Sequence, residues 1–354
     1  MVKKLPAGIV KETKPLSEDF LPQSFPGREQ ALSQLLDCLS PAAREGKPTH
    51  AWLHGPPGSG KTALAKRALA QLEEQGVGTA YVNCWGAQTF YGTLEKVFQE
   101  LRALVAEQRD VSFKLERLSR IARQRPLVVV LDEVDQMFLR EREATLYNLT
   151  NLDHAGLVCL SQSREAFLAL DSRIRSRLLP KFLDLRAYST VELVRILERR
   201  ASEALVPEAW CTADLERIAQ AAGGDARIAI QTLRAAAYLA DKRQVPQITP
   251  EDIQEGLRIS SHLRRNYFLR GLSEHHRLLY QLVQEEPGIE NPRLWRRYLK
   301  EAGKRGMEPR QRRTVNHYRQ FMIQNRVLEE RQLGGRKNRR GLWVVDDDKN
   351  GEER

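Results

Sequence analysis

The chain has 354 residues, 41% hydrophobic and 29% charged, with a formal net charge of +11. That length accommodates two or three domains, and no apolar run approaches a membrane span, so a helical membrane protein is excluded. The four cysteines, Cys38, Cys84, Cys159 and Cys211, form no C-x-x-C pair, which argues against a zinc site or disulfide scaffold and for a reducing, intracellular compartment.

Residues 1–19 are polar and read as a flexible arm; residues 1–14 are basic but lack the apolar stretch of a signal peptide. The stretch from Phe20 to Glu29 leads into a helix carrying Leu32, Leu35, Leu36 and Leu39 at helical spacing. Ala51-Trp52-Leu53 then reads as a short buried strand. It runs into Gly55-Pro56-Pro57-Gly58-Ser59-Gly60-Lys61-Thr62, which fits the phosphate-cradling pattern G-x-x-x-x-G-K-S/T, and a helix follows from Ala63. Glycines let backbone N–H groups turn inward, and the helix N-terminus adds partial positive charge. Lys61 would reach the β- and γ-phosphates of ATP or ADP, and the Thr62 hydroxyl would ligate Mg2+.

A second strand is expected over 79–84, and a helical region over about 89–123 with a break near Asp110-Val111-Ser112. Leu127-Val128-Val129-Val130-Leu131 is a central parallel strand by its unbroken apolar character, and it ends in Asp132 and Glu133. Beside a P-loop, Asp132 can hold Mg2+ and Glu133 can polarise the attacking water. Further strands are expected over 157–161, ending at Gln162, and over 181–185, separated by the arginine-bearing stretch Asp171 to Leu178. Alternation of strands and helices gives an α/β class with a parallel sheet. From Tyr188 the pattern is helical, with helices over 190–204, 212–222, 225–241 and 250–257. Arg227 near the start of the third is a cation where a helix favours anions, so something anionic should lie outside it.

Residues 258–340 hold 18 Arg and 3 Lys against 8 Glu and no Asp, a net +13, while residues 1–257 carry only +1 and the tail 341–354 carries −3. A neutral body joined to a basic module is the footprint of a nucleic-acid binder. After a basic linker, helices are expected from Ser273, from Asn291-Pro292 and from Glu308-Pro309. A hairpin pairs 327–331 with 342–345 around a basic loop. Three helices and a hairpin suggest a winged helix-turn-helix. Arg310, Arg312, Arg313, Asn316 and Arg319 on the third helix can read base edges, and Arg336, Lys337, Arg339 and Arg340 in the wing suit phosphates or a minor groove.

The P-loop, Leu131-Asp132-Glu133, Asp171 to Leu178, Gly224-Asp225-Ala226-Arg227 and the C-terminal module together resemble the AAA+ replication initiators. More closely, they resemble the archaeal relatives of the largest origin recognition complex subunit and its cell-division-cycle paralogue. The resemblance covers about Phe20 to Val345. It implies an arm over 1–19, an AAA+ P-loop core over 20–187, a helical lid over 188–257, a linker over 258–270, a winged helix over 271–346 and an acidic tail over 347–354. It also implies that Gly55 to Ala63 and Arg227 hold nucleotide, with Arg227 as a lid cation on the γ-phosphate. Leu21, Pro22, Phe25 and Arg28 would line the adenine pocket. Gln162 stands at the sensor-1 position, where the family usually has Asn, a departure that keeps the amide. Arg177, with Arg175 as second choice, matches the arginine finger that acts on a neighbour's ATP. Region 84–113 corresponds to the helical insert of initiators.

The resemblance implies a slow, switch-like ATPase in the cytoplasm. It would bind double-stranded origin repeats, help load an MCM-type replicative helicase and self-associate on DNA through Arg177. A branch-migration motor and an ATP-dependent regulator of transcription or transposition are the alternatives that the same motifs leave open.

Overall fold

The structure, a computed structural model, describes residues 8–41, 45, 49–103, 110–324, 327–333 and 339–345. It divides into two compact units, Met1–Leu257 and Arg258–Arg354.

The first unit begins its sheet core with α1 (Glu29–Leu39), β1 (Ala51–His54), α2 (Lys61–Glu74) and β2 (Gly78–Asn83). It continues with α3 (Phe90–Glu100), α4 (Val111–Gln124), β3 (Leu127–Asp132), α5 (Leu139–Thr150) and β4 (Ala155–Ser161). α6 (Glu165–Leu168), α7 (Ser172–Leu178) and β5 (Lys181–Asp184) complete it. The five strands run parallel in the order β2-β3-β4-β1-β5. β3 is buried along its whole length. Leu127, Val129 and Leu131 pack into one face of the core, and Val128 and Val130 into the other. Each such side chain contributes roughly 1.5–3 kcal/mol on leaving water. Both faces are covered, so the strand reads as an unbroken apolar run.

The break expected near residue 110 is a capped helix start: the Asp110 carboxylate accepts from the Phe113 amide at 2.7 Å. β1 and β3 lie on either side of β4, which brings Gly55 to Thr62 and Asp132 to the same end of the sheet.

The helical lid consists of α8 (Thr190–Ala204), α9 (Thr212–Ala222), α10 (Ala226–Lys242) and the start of α11 (Pro250–Gly271). Leu193, Leu197, Leu215, Ile218, Leu233 and Ile253 share its core. Thr249 caps α11 reciprocally with Asp252: the Thr249 amide donates to Asp252 at 2.9 Å and the Asp252 amide to Thr249 Oγ1 at 3.4 Å.

Two expectations change here. Residues 8–19 are no free arm: Ile9 and Leu16 are buried in the lid core, and Val10 bridges to Leu205. The segment expected as a linker is helix, because α11 meets neither Gly nor Pro between Leu257 and Gly271.

The second unit contains α12 (Glu274–Glu285), β6 (Ile289–Glu290), α13 (Asn291–Lys304), α14 (Arg312–Gln324), β7 (Leu328–Gln332) and β8 (Arg340–Val344). The strands form a sheet in the order β6-β8-β7, both pairs antiparallel. The hairpin is as expected, and β6 is an added two-residue strand. α14 starts at Arg312 rather than beside Pro309, because the Arg310 amide donates to the Tyr298 hydroxyl at 3.0 Å instead of entering a helical ladder. Asn291 does not cap α13; its side chain donates to Asn316 Oδ1 at 3.3 Å.

Candidate nucleotide site and nucleic-acid surface

Gly58 and Gly60 both have positive φ, and both face the lid side. A Cβ on Gly58 would fall 1.9 Å from the Asp225 carboxylate, and one on Gly60 2.5 Å from the Tyr188 hydroxyl. Only glycine therefore fits either turn. Asp225 caps α10, accepting from the Arg227 and Ile228 amides at 2.9 and 3.3 Å, and the Ala226 amide donates to the Gly58 carbonyl at 3.2 Å. The P-loop and the first turn of α10 are thus directly joined.

Lys61 is 9% exposed and donates from Nζ to the Gly55 and Pro56 carbonyls at 2.7 and 3.0 Å. Burial, with Arg227 as the next contributor, pushes its ammonium down to about 8. Lys61 and Arg227 line the same cleft, of about 250 Å³, together with Gly58, Gly60, Thr62 and Ala63. Arg227 and Lys61 come from different elements and disfavour each other, and Lys61 opens α2, so the cleft fits a polyphosphate. Leu21, Pro22 and Phe25 line the other part of the cleft with Phe20, Ile196 and Ile230. This apolar wall suits a nucleoside base.

Arg28 departs from its expected role. It is buried at 4% exposure, donates from Nε to the Ser59 carbonyl at 3.0 Å, and lies 3.9 Å from the Tyr188 ring centroid. It holds the P-loop through Ser59 and is not among the residues that line the cleft.

Asp132 is 3% exposed, and its Oδ2 accepts from Thr62 Oγ1 at 2.7 Å and from the Tyr81 hydroxyl at 2.6 Å. A hydroxyl and a carboxylate held together are hard oxygen ligands that fit Mg2+, which completes its shell with phosphate and water. The described residues contain no cluster of His, Cys, Asp and Glu that would hold a metal without such help. Glu133 adopts left-handed backbone at φ 55°, a conformation costing roughly 1–2 kcal/mol for a non-glycine residue. Burial, then the neighbouring Asp132, pushes its carboxyl up to about 7. The Gln162 backbone N–H donates to Asp135 Oδ2 at 3.2 Å, while Asp135 Oδ1 is buried with no hydrogen-bond partner among the described residues.

Arg177 is exposed on α7, its guanidinium 5.5 Å from the Tyr147 ring centroid, and it does not line the cleft of its own chain. Arg175 is half-buried on the same helix.

In the second unit, Arg310, Arg312 and Arg313 are exposed and form no ion pair among the described residues. Asn316 is half-buried and bonded to Asn291, and Arg319 pairs with Glu330 at 2.8 Å. Arg339 pairs with Glu290, and Arg340 with Glu330 at 3.7 Å. The expected surface is therefore divided: three free arginines and three held by acids. Arg336 and Lys337 lie outside the described residues.

Residues 24–161 match the AAA ATPase domain, and residues 194–257 match the Cdc6 AAA+ ATPase-type lid domain. The chain is 29% identical over 331 residues to ORC1-type DNA replication protein 9 of Halobacterium salinarum, covering 92% of each. It is 30% identical over 297 residues to ORC1-type DNA replication protein 1 of the same organism, covering 82% of this chain and 95% of that one. This chain belongs to the ORC1-type DNA replication protein family. The structure of the Aeropyrum pernix ORC1 protein in complex with DNA superposes with a TM-score of 0.75 at 25% identity, covering 97% of this chain and 96% of that one. The AAA+ core and Cdc6-type lid are thus the family's own, and the chain is an AAA+ ATPase.

Sequence reading missed four residues of this ORC1-type site: Tyr81, Tyr188, Asp225 and Asp135. Asp225 had a signal, an acid just before an apolar helix. Tyr81 had none, since its contact with Asp132 spans two strands. Burial and the Asp132 charge hold the Tyr81 phenol far above its ordinary range, so it is a neutral donor to the same Asp132 oxygen that accepts from Thr62. Tyr81→Phe should raise the apparent Mg2+ affinity of the ATP complex about fivefold, the worth of one hydrogen bond near 1 kcal/mol. Mg2+ titration of a fluorescent ATP analogue reads this directly, and a fall in affinity would show that Tyr81 instead orients Asp132.

Proposed function

We propose that this chain is a DNA-replication initiator in which ATP acts as a conformational latch between core and lid. The observation that carries the reading is the convergence of Lys61 and Arg227 on one cleft from two different elements. A bound triphosphate would neutralise both cations at once and so favour the closed arrangement by its differential contacts with the lid. Mg2+, held by Thr62 and Asp132, would supply charge neutralisation on the phosphates. Glu133 would polarise the attacking water, and the Gln162 side chain would help place it. Loss of the terminal phosphate would remove the reason for Arg227 to stay. Arg177, exposed and away from its own cleft, would act on a neighbour's nucleotide.

The second unit would bind double-stranded origin repeats through the exposed arginines of α14 and the wing, as the relative solved with DNA supports. A replicative helicase of the MCM type is the partner this role implies. Footprinting on genomic DNA tests the reading. Protection at repeats of a replication origin is expected; protection confined to promoters or element ends would overturn it. Glu133→Gln should retain ATP binding while single-turnover hydrolysis falls at least tenfold. Normal hydrolysis by that variant would remove Glu133 as the base.

A further inference from the structure

Arg200 lies on α8 of the lid, 7% exposed, and among the described residues no carboxylate comes within ion-pair distance of it. Burial lowers its pKa to about 10, with Glu203 the only opposing influence. Its charge is met instead by backbone. Nη1 donates to the Pro15 carbonyl at 2.5 Å and the Ser17 carbonyl at 3.2 Å, and Nη2 donates to the Phe20 carbonyl at 3.2 Å. The guanidinium carbon sits 4.7 Å from the centroid of the Phe20 ring. Three carbonyls and one aromatic face around a single buried fork fix the path of residues 15–20 in a way a point-charge ammonium cannot.

That path forms one side of the nucleotide cleft: Glu18, Asp19, Phe20, Leu21 and Pro22 line it, as does Arg200 itself. The same segment is tied to the lid at further points. The Ile9 amide donates to Asp241 at 2.6 Å, the Lys11 amide to the Ala204 carbonyl at 2.8 Å, and Arg199 donates to the Ser24 hydroxyl. The apolar wall therefore precedes the core in sequence but is fastened to the lid.

We propose that Arg200 is a positioning residue for the nucleoside base. It makes the base-side wall part of the lid, so that base contact and phosphate contact by Arg227 both draw on the same element. This rests on the cleft being the nucleotide site. A ligand with phosphates but no base would engage Lys61 and Arg227 and leave the wall untouched. The share of affinity that belongs to the base should then depend on Arg200, and the share that belongs to phosphate should not.

The test is calorimetric titration of the full chain with ATP and with inorganic tripolyphosphate, in wild type, Arg200→Lys and Arg200→Met. ATP affinity should fall about tenfold in Arg200→Lys and further in Arg200→Met, with tripolyphosphate affinity unchanged within twofold. An unchanged ratio of the two affinities would overturn the inference while leaving the nucleotide site intact. A wild type that binds neither ligand would overturn the site itself, and the inference with it. Amide exchange on the wild type needs no variant to fold. ATP should slow exchange across residues 9–24 and tripolyphosphate should not; equal protection by both would sink the proposal.

Discussion

Lys61→Met should lose ATP affinity on the order of a thousandfold while the nucleotide-free protein melts no lower than wild type. Burial and Arg227 hold the Lys61 ammonium at about 8, below its ordinary 10.5. Below pH 8 folded and unfolded chains both carry the proton, and the folded form bears the full cost of burying it, roughly 3 kcal/mol at pH 7. That cost fades as pH rises from 8 to 10.5. Methionine fills similar volume without charge, so its gain offsets the hydrogen bonds lost to the Gly55 and Pro56 carbonyls. The phosphate complex gains nothing from Met. Breaking a buried charge pair costs roughly 3–5 kcal/mol, on the order of a thousandfold in affinity. Thermal melts separate the two effects. ATP at about a hundred times its dissociation constant should stabilise wild type by about 2.7 kcal/mol, or roughly 5–10 °C. Lys61→Met should show no such shift; a shift of wild-type size would show that Lys61 is not a phosphate ligand.

What was legible in the sequence follows from how local each signal is. The P-loop needs eight consecutive residues and two flanks, and β3 needs one apolar run, so both stand in the chain as they do in the fold. Arg227 was legible as a cation in the wrong place on a helix, and the cleft shows it facing Lys61. The helices of both units follow apolar periodicity and come out within a few residues of expectation, α11 and the start of α14 excepted. Contacts that depend on distant partners were not legible. Residues 8–19 look like a polar arm because their apolar anchors, Ile9, Val10 and Leu16, are few and show no period, and their other fastenings, to Ala204, Asp241 and Arg200, reach about 180 residues or more along the chain. β6 has two residues, too few for any period to show. Arg28 was placed by the resemblance and Arg319 by residue type. Neither reading could show that their side chains are engaged by Ser59 and Glu330. Charge counting locates a basic module well and cannot say which of its arginines are already engaged.

Replacing Arg310, Arg312 and Arg313 together with Ala should weaken double-stranded DNA binding on the order of a hundredfold at physiological salt and flatten its salt dependence. Each phosphate contact contributes roughly 0.9 to the slope of log affinity against log salt, so three removed contacts should lower that slope by roughly 2 to 3. These three are exposed at the start of α14 and before it, where side chains of a recognition helix meet base edges and backbone. Arg319→Ala makes the contrast. Arg319 is already paired with Glu330, which also faces Arg340, so DNA must compete with an acid for both cations. Removing Arg319 frees Glu330 for Arg340, and the expected loss of DNA affinity is below tenfold, with a slope near that of wild type. Glu330→Gln runs the other way: it keeps both arginines, removes the competing charge, and should tighten DNA binding and steepen the slope. Filter binding across a salt series on one duplex reads all three variants. A triple variant with the wild-type slope would take the start of α14 off the DNA. A fall in affinity for Glu330→Gln would mean that the acid aligns the arginines for DNA rather than withholding them.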